Sequence, residues 1–252
     1  MVMIIGHRGA RNLWPENSLD GFRRLAELGV EGVEFDVHMT ADGELVVIHD
    51  PTLERTTAGS GAVGAHTLAE LQAIPLRDCQ ETIPSLDQVL EVLGRTSLEL
   101  HIELKTDAVG SAYAGMEAKV LETVRRHGLE TRSILTCFML EVLEAVRELE
   151  PAIPVLASVD RRSCEMLGGL DRAIDRLKAI PGIYVAVERS LLIHTMRHFT
   201  EAFGPDRLGA WVPNEEADLR YWMNQPVRQI TTDRPDLALR ARSDLDGTSL
   251  RK

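Results

Sequence analysis

The chain has 252 residues, 39 acidic against 28 basic side chains and a net charge of −11, a balance that excludes a nucleic-acid partner, whose phosphates need clustered Lys and Arg. With 44% hydrophobic residues it can bury a large core, yet no apolar run is long enough to cross a bilayer, so no stable membrane insertion is expected. Cys79, Cys137 and Cys164 are an odd number without a close pair, which argues against a disulfide framework and a thiolate zinc site. The N-terminus enters an apolar strand without a basic region or cleavage site, so the expected location is cytoplasmic.

The first strand, Met3-Ile4-Ile5-Gly6, breaks off into His7-Arg8-Gly9. An imidazole beside a guanidinium at a strand end can hold an anion and move a proton. Pro15-Glu16-Asn17-Ser18 then starts a helix with the apolar positions Leu19, Phe22, Leu25 and Ala26, and Asn17 or Ser18 suits its N-cap. In Gly32-Val33-Glu34-Phe35-Asp36-Val37, alternation puts Glu34 and Asp36 on one face and the apolar residues on the other. His38 shares the acidic face and is given no role. A further apolar run, Leu45 to Ile48, ends in His49-Asp50.

Residues 51–84 interrupt the rhythm with turn formers such as Thr56-Thr57-Ala58-Gly59-Ser60-Gly61, while Leu68, Leu71, Ile74 and Leu76 predict partial order there. A helix near Leu86 to Leu93 leads into Leu98-Glu99-Leu100-His101-Ile102-Glu103-Leu104-Lys105, which places His101, Glu103 and Lys105 on one face. His101 reads as a core histidine beneath Glu103. From there helices and strands alternate. Helices are predicted near Ala114–His127, Leu140–Leu149, Cys164–Leu177, His194–Phe203 and Ala217–Met223. Strands are predicted at Ser133–Thr136, Val155–Val159, Gly182–Glu188, Leu208–Val212 and Arg228–Asp233. With those at Met3, Val33 and His101 this makes about eight strands separated by helices, the pattern of a closed parallel barrel. The polar tail from Arg240 to Lys252 is expected to fray.

After the first strand, three strand segments, those carrying Glu34 and Asp36, His49, and Glu103 and Lys105, deliver titratable groups at their C-terminal ends, where a barrel places its site, so they read as a site rather than decoration. At these residues the chain resembles the glycerophosphodiester phosphodiesterase family. The matching elements are His7-Arg8-Gly9, Pro15-Glu16-Asn17, Glu34-x-Asp36, His49-Asp50, Glu103-x-Lys105, Trp211 and Thr232-Asp233, in the family's order across almost the whole chain. Cys137 stands where the family commonly has serine, and Pro213 where threonine or valine is more usual. The resemblance implies a TIM (β/α)8 barrel with a small insertion after the second barrel strand, here one catalytic domain over residues 1–252 with the insertion at 51–84.

It also implies metal-dependent hydrolysis of glycerophosphodiesters to glycerol 3-phosphate and an alcohol. If Glu34, Asp36 and Glu103 converge, their repulsion at ~4 Å costs on the order of 4 kcal/mol per pair at a protein-like dielectric, and a bound cation removes it. All-oxygen ligands favour Mg2+ or Ca2+, as does the family. Arg8 and Lys105 are the candidates for phosphate binding. His7 and His49 are those for general acid and base, with the assignment between them open. Trp211 packs against glycerol in the family, and a core tryptophan is an equal reading. Asp233 reads as a helix cap. Two alternatives remain: a lysophospholipid- or phosphoinositol-directed phosphodiesterase, and a non-catalytic phosphodiester-binding barrel. A homo-oligomer leaves no mark in one sequence.

Overall fold

Nine strands and ten α-helices run through the described residues, 1–249, of this computed structural model. Eight strands are parallel: β1 (Met3–His7), β2 (Gly32–Met39), β4 (Glu99–Leu104), β5 (Ser133–Cys137), β6 (Val155–Val159), β7 (Tyr184–Glu188), β8 (Leu208–Trp211) and β9 (Gln229–Thr232). β9 pairs back onto β1, and β1 onto β2, so the sheet closes into a TIM barrel. Helices α1 (Leu19–Glu27), α3 (Leu86–Gly94), α4 (Met116–Arg126), α5 (Leu140–Leu149), α8 (Arg189–Phe203), α9 (Glu216–Trp222) and α10 (Pro235–Ser249) alternate with these strands.

Alternation along each strand sorts the core. Val33, Phe35 and Val37 of β2 are fully buried in the layer beneath the helices, where Phe22 of α1 meets Phe35 edge-on at 5.6 Å. A smaller apolar group, Ile134, Leu156 and Ala186, fills the barrel interior with Tyr184 and Trp211 against it. Ser18 caps α1 by accepting from the Gly21 amide at 3.0 Å, so the cap falls to Ser18 and leaves Asn17 free for another task. Among the described residues no helix is long and apolar enough to cross a membrane.

Four expectations are corrected. The run ending at His49 does not finish a barrel strand: Leu45–Val47 form β3, antiparallel to β2 with Val37 opposite Val47. A turn at Thr40–Glu44, with Gly43 at φ +76°, folds this segment back along the end of β2. The predicted helix Cys164–Leu177 is two, α6 (Arg161–Met166) and α7 (Leu170–Lys178), parted at Gly168 and Gly169, whose φ values of +93° and +102° end a right-handed helix. The helix predicted from His194 starts five residues earlier because the Glu188 carboxylate caps the amides of Ser190 and Leu191.

The tail predicted to fray from Arg240 is helical through Ser249, held by buried Ala238 and Ala241 and by Arg242, which donates to the Glu31 carboxylate at 2.8 and 2.9 Å. The rest of that predicted tail, 250–252, lies outside the described residues. Between β3 and α3, α2 (Leu68–Gln72) and a short 3-10 turn at Val63–Ala65 enclose Leu53, Val63, Leu71, Leu76 and Ile83, which pack with Val46 and Ile48 into a small core of their own.

Close strand spacing rests on glycine at one point, the start of β2. A Cβ on Gly32 would lie 2.9 Å from the Glu99 carbonyl and 2.7 Å from Ile5 Cδ1, and a backbone carbonyl cannot swing aside. Gly32→Ala should therefore cost about 1–3 kcal/mol through overpacking. Thermal denaturation should show a fall in Tm of about 2–4 °C for each kcal/mol lost. An unchanged Tm would mean that β2 and β4 spread without penalty.

Candidate active site

The register between β2 and β4 sets Asp36 directly beside Glu103 and Glu34 beside His101. Glu34 and Asp36 therefore enter the barrel one above the other, and Glu103 joins them from the next strand. Oxygens of Glu34, Asp36 and Glu103 all lie within 4.8 Å of one another. Two cations stand against them. Lys105 Nζ lies 2.7 Å from Glu103 Oε1 and 3.4 Å from Asp36 Oδ1, and Arg8 Nε lies 3.4 Å from Asp36 Oδ2.

These neighbours divide the carboxyls. Burial pushes Glu34 well above the usual carboxylate range, and Asp36 and Glu103 push in the same direction. Burial acts the same way on Asp36, but Lys105, His49, Arg8 and a hydrogen bond from Asn17 Nδ2 at 2.9 Å outweigh it and keep its pKa far below normal. Lys105, buried among the acids, is raised by Glu103 and Asp36 beyond the loss that burial imposes.

The loop after β1 is bent to serve this cluster. Arg8, Ala10 and Asn17 adopt φ values of +51°, +72° and +56°, each costly for a residue with a Cβ. The turn aims the Arg8 amide at Glu34 Oε2 (3.1 Å), and the Asn17 amide closes on the Arg8 carbonyl at 2.9 Å. Asn17 thus holds Asp36 instead of capping a helix.

Both candidate histidines have Nδ1 fixed by an aspartate. His7 Nδ1 lies 2.5 Å from Asp233 Oδ1 and His49 Nδ1 lies 2.7 Å from Asp50 Oδ1. Each ring therefore turns its other nitrogen away from its aspartate, and His7 Nε2 stands 3.7 Å from Glu34 Oε2. Asp233 is held down to about 2 because hydrogen bonds from His7 and Arg11 overcome its burial. Asp50 is likewise held to about 2, against burial, by Arg55 and His49. Burial lowers His49, with Lys105 and Arg8 adding to the effect and Asp36 opposing it.

His7, Arg8, Glu34, His49, Glu103, Lys105 and Trp211 all line one cavity of about 190 Å3 at the C-terminal end of the barrel, and Asp36 lies buried behind them. Trp211 is half-buried, donates from Nε1 to the Ala186 carbonyl at 3.0 Å and meets Phe138 edge-on at 5.8 Å, so the pair makes an apolar wall. His101, as read from sequence, lies under Glu103 with Nε2 2.8 Å from Glu99 Oε1.

Several residues of the site escaped the sequence reading. Asp233 is not a helix cap: its carboxylate takes His7, Arg11 (2.8 Å) and Asn214 Nδ2 (2.7 Å), and α10 starts two residues later. Arg55, from the segment after β3, bridges Asp50 (2.6 Å) and Glu16 (2.7 Å), and Glu16 in turn accepts from Arg8 at 3.1 Å. The Thr-Asp pair at the end of β9 was a usable signal for Asp233. Arg11, Arg55 and Asn214 sit in polar loops where one sequence carries none.

The chain has relatives of known family. The glycerophosphoryl diester phosphodiesterase family profile matches residues 7–237. A glycerophosphodiester phosphodiesterase of Bacillus altitudinis is 30% identical over 97% of this chain and 100% of its own length. One from Caldanaerobacter subterraneus is 36% identical over 61% of this chain, a match that spans 65% of that relative, less than two thirds. A solved structure from Agrobacterium tumefaciens has a TM-score of 0.88 at 28% identity, covering 98% of this chain and 99% of its own. A phosphodiesterase of Oleispira antarctica, solved with the product sn-glycerol-3-phosphate, has a TM-score of 0.82 at 25% identity, covering 96% of each chain. The match starts at the first histidine of the cavity and runs past the aspartate that orients it, over more than nine-tenths of the residues, and on that span the chain belongs to the glycerophosphoryl diester phosphodiesterase family.

Proposed function

We propose that the protein hydrolyses glycerophosphodiesters to glycerol 3-phosphate and an alcohol, as one catalytic domain over residues 1–252 with residues 51–84 inserted near its mouth. The observation that carries this reading is the pairing of two aspartate-held imidazoles with three clustered carboxylates around a single cavity. A site that only bound phosphodiesters would not need two positioned proton carriers.

A divalent cation fits these residues. Glu34 Oε1 and Asp36 Oδ1 are buried and accept no hydrogen bond, the latter with only the 3.4 Å ion pair to Lys105, which leaves two hard oxygen donors beside Glu103. Such donors suit Mg2+ or Ca2+. When bound, the ion supplies charge neutralisation to the non-bridging phosphate oxygens.

The chain's own groups do the rest. Arg8 and Lys105, which line the cavity, hold the phosphate. His49, kept neutral by burial and by the two nearby cations, takes the proton of the attacking oxygen: water gives glycerol 3-phosphate directly, whereas the substrate's glycerol hydroxyl gives a cyclic phosphate that water then opens. His7 delivers a proton to the leaving alkoxide, and ionised Asp233 stabilises its imidazolium. Phe138 and Trp211 offer their apolar wall to the glycerol carbons.

A coupled assay for glycerol 3-phosphate with glycerophosphocholine, glycerophosphoethanolamine and glycerophosphoinositol should show release that a chelator abolishes and Mg2+ or Ca2+ restores. Turnover indifferent to chelation would refute the cation. His7→Ala and His49→Ala should each lower kcat by ~10²- to 10⁴-fold. Calorimetric titration of either variant should still show cation binding.

Glu34 provides a pH test. Its folded-state pKa lies above the ordinary value of 4.5, so its contribution to stability is complete below that value and fades as pH rises. Glu34→Gln never ionises and should raise the Tm of the metal-free protein at pH 8, with the gain shrinking toward pH 5, while cation affinity falls. A lower Tm at pH 8 would show that the carboxylate is not strained there.

A further inference from the structure

We propose that His38 is a positioning residue for His49, acting through the main chain, and that Tyr113 holds the His38 ring in the orientation that does so; the inference rests on the phosphodiesterase reading above. His38 is fully buried, two positions beyond Asp36 on β2. Both of its ring nitrogens are engaged, and by different segments. Nε2 lies 3.0 Å from the His49 carbonyl oxygen and Nδ1 lies 3.0 Å from the Tyr113 hydroxyl.

The chemistry of the partners sets the direction of both bonds. A carbonyl only accepts, so Nε2 carries a hydrogen; in the neutral ring Nδ1 is then a bare acceptor and takes the Tyr113 O–H. Tyr113 remains a donor throughout the neutral range, since burial pushes its pKa up to about 12. Its ring stands edge-on to His38, centroids 5.8 Å apart at 89°, which holds the hydroxyl on Nδ1. One neutral imidazole therefore joins the strand of Glu34 and Asp36, the loop that follows Glu103 and Lys105, and the chain reversal that delivers His49.

His49 needs such an anchor. It lies two residues past the end of β3, and the Ile48 amide, donating to the Asp36 carbonyl at 3.0 Å, is the step before it. Asp50 sets the rotation of the His49 ring but belongs to the same exposed-side turn, where its partner is Arg55. His38 instead ties the His49 main chain to the barrel wall that carries the acids. A base displaced by a fraction of an ångström from its proton acceptor geometry loses rate without losing substrate affinity.

The test is steady-state kinetics with glycerophosphocholine on the metal-loaded full chain, alongside thermal denaturation. His38→Leu keeps the volume and deletes both bonds, and kcat should fall on the order of 10- to 100-fold, with KM within about twofold of wild type. His38→Gln places an amide donor where Nε2 stood and should recover most of that loss. Tyr113→Phe removes one hydroxyl and should lower kcat less than His38→Leu, again with KM unchanged.

A folded His38→Leu protein with wild-type kcat overturns the proposal, as does a His38→Gln protein as slow as His38→Leu, since that would reduce the site to shape. Should His38→Leu not fold, the other two variants decide: slow His38→Gln, or Tyr113→Phe at wild-type kcat, overturns it. A wild-type protein that releases no glycerol 3-phosphate strikes instead at the reading on which the proposal stands.

Discussion

Three carboxylates crowd within 4.8 Å of one another at the mouth of the barrel, and the local structure is organised around keeping them there. Lys105 and Arg8 supply two positive charges against three carboxyl groups, and Arg8 also pairs with Glu16, so ionising all three would leave negative charge uncompensated. The imbalance falls unevenly: Asp36, between both cations, stays ionised, while Glu34 resists ionisation. Glu34 Oε1 and Asp36 Oδ1 both stay buried there without a hydrogen-bond donor.

The strands alone do not assemble this cluster. The left-handed turn at Arg8 and Ala10 turns a backbone amide onto Glu34, and Asn17, also left-handed, reaches Asp36 from the same loop. Backbone strain of this kind persists only where surrounding bonds over-determine it. Here the chain of pairs Arg8–Glu16–Arg55–Asp50–His49 ties the strained loop to the segment after β3 and to one of the two imidazoles. Arg55 is partly exposed, so the worth of these pairs lies in placing groups more than in stability.

Much of the site was legible because strand alternation and strand order are local properties. Glu34 and Asp36 share a face by period alone, as do His101, Glu103 and Lys105, and barrel closure sends both faces inward. His49 was found as a chemical group but misplaced on a barrel strand: a turn of five residues, Thr40–Glu44, reverses the chain, and a short apolar run reads the same in either direction. Asp233 and Asn17 look like helix caps in isolation, because the residue types that cap amides also hold imidazoles and carboxylates. Arg240 onward looked like a fraying tail because its anchor, Glu31, lies 211 residues away from Arg242.

The amino-acid sequence by itself determined the alternating strands and helices, the inward face of each strand and the residue types of the acid and imidazole set. All of these follow from periodicities that act over a few residues. Only the tertiary structure decided that Asp36 stands beside Glu103, that Asp233 orients His7, and that His38 and Tyr113 reach His49. Those pairings depend on the register between strands and on loops closing over long sequence separations, where the distance between partners is a property of the closed barrel and of no local segment.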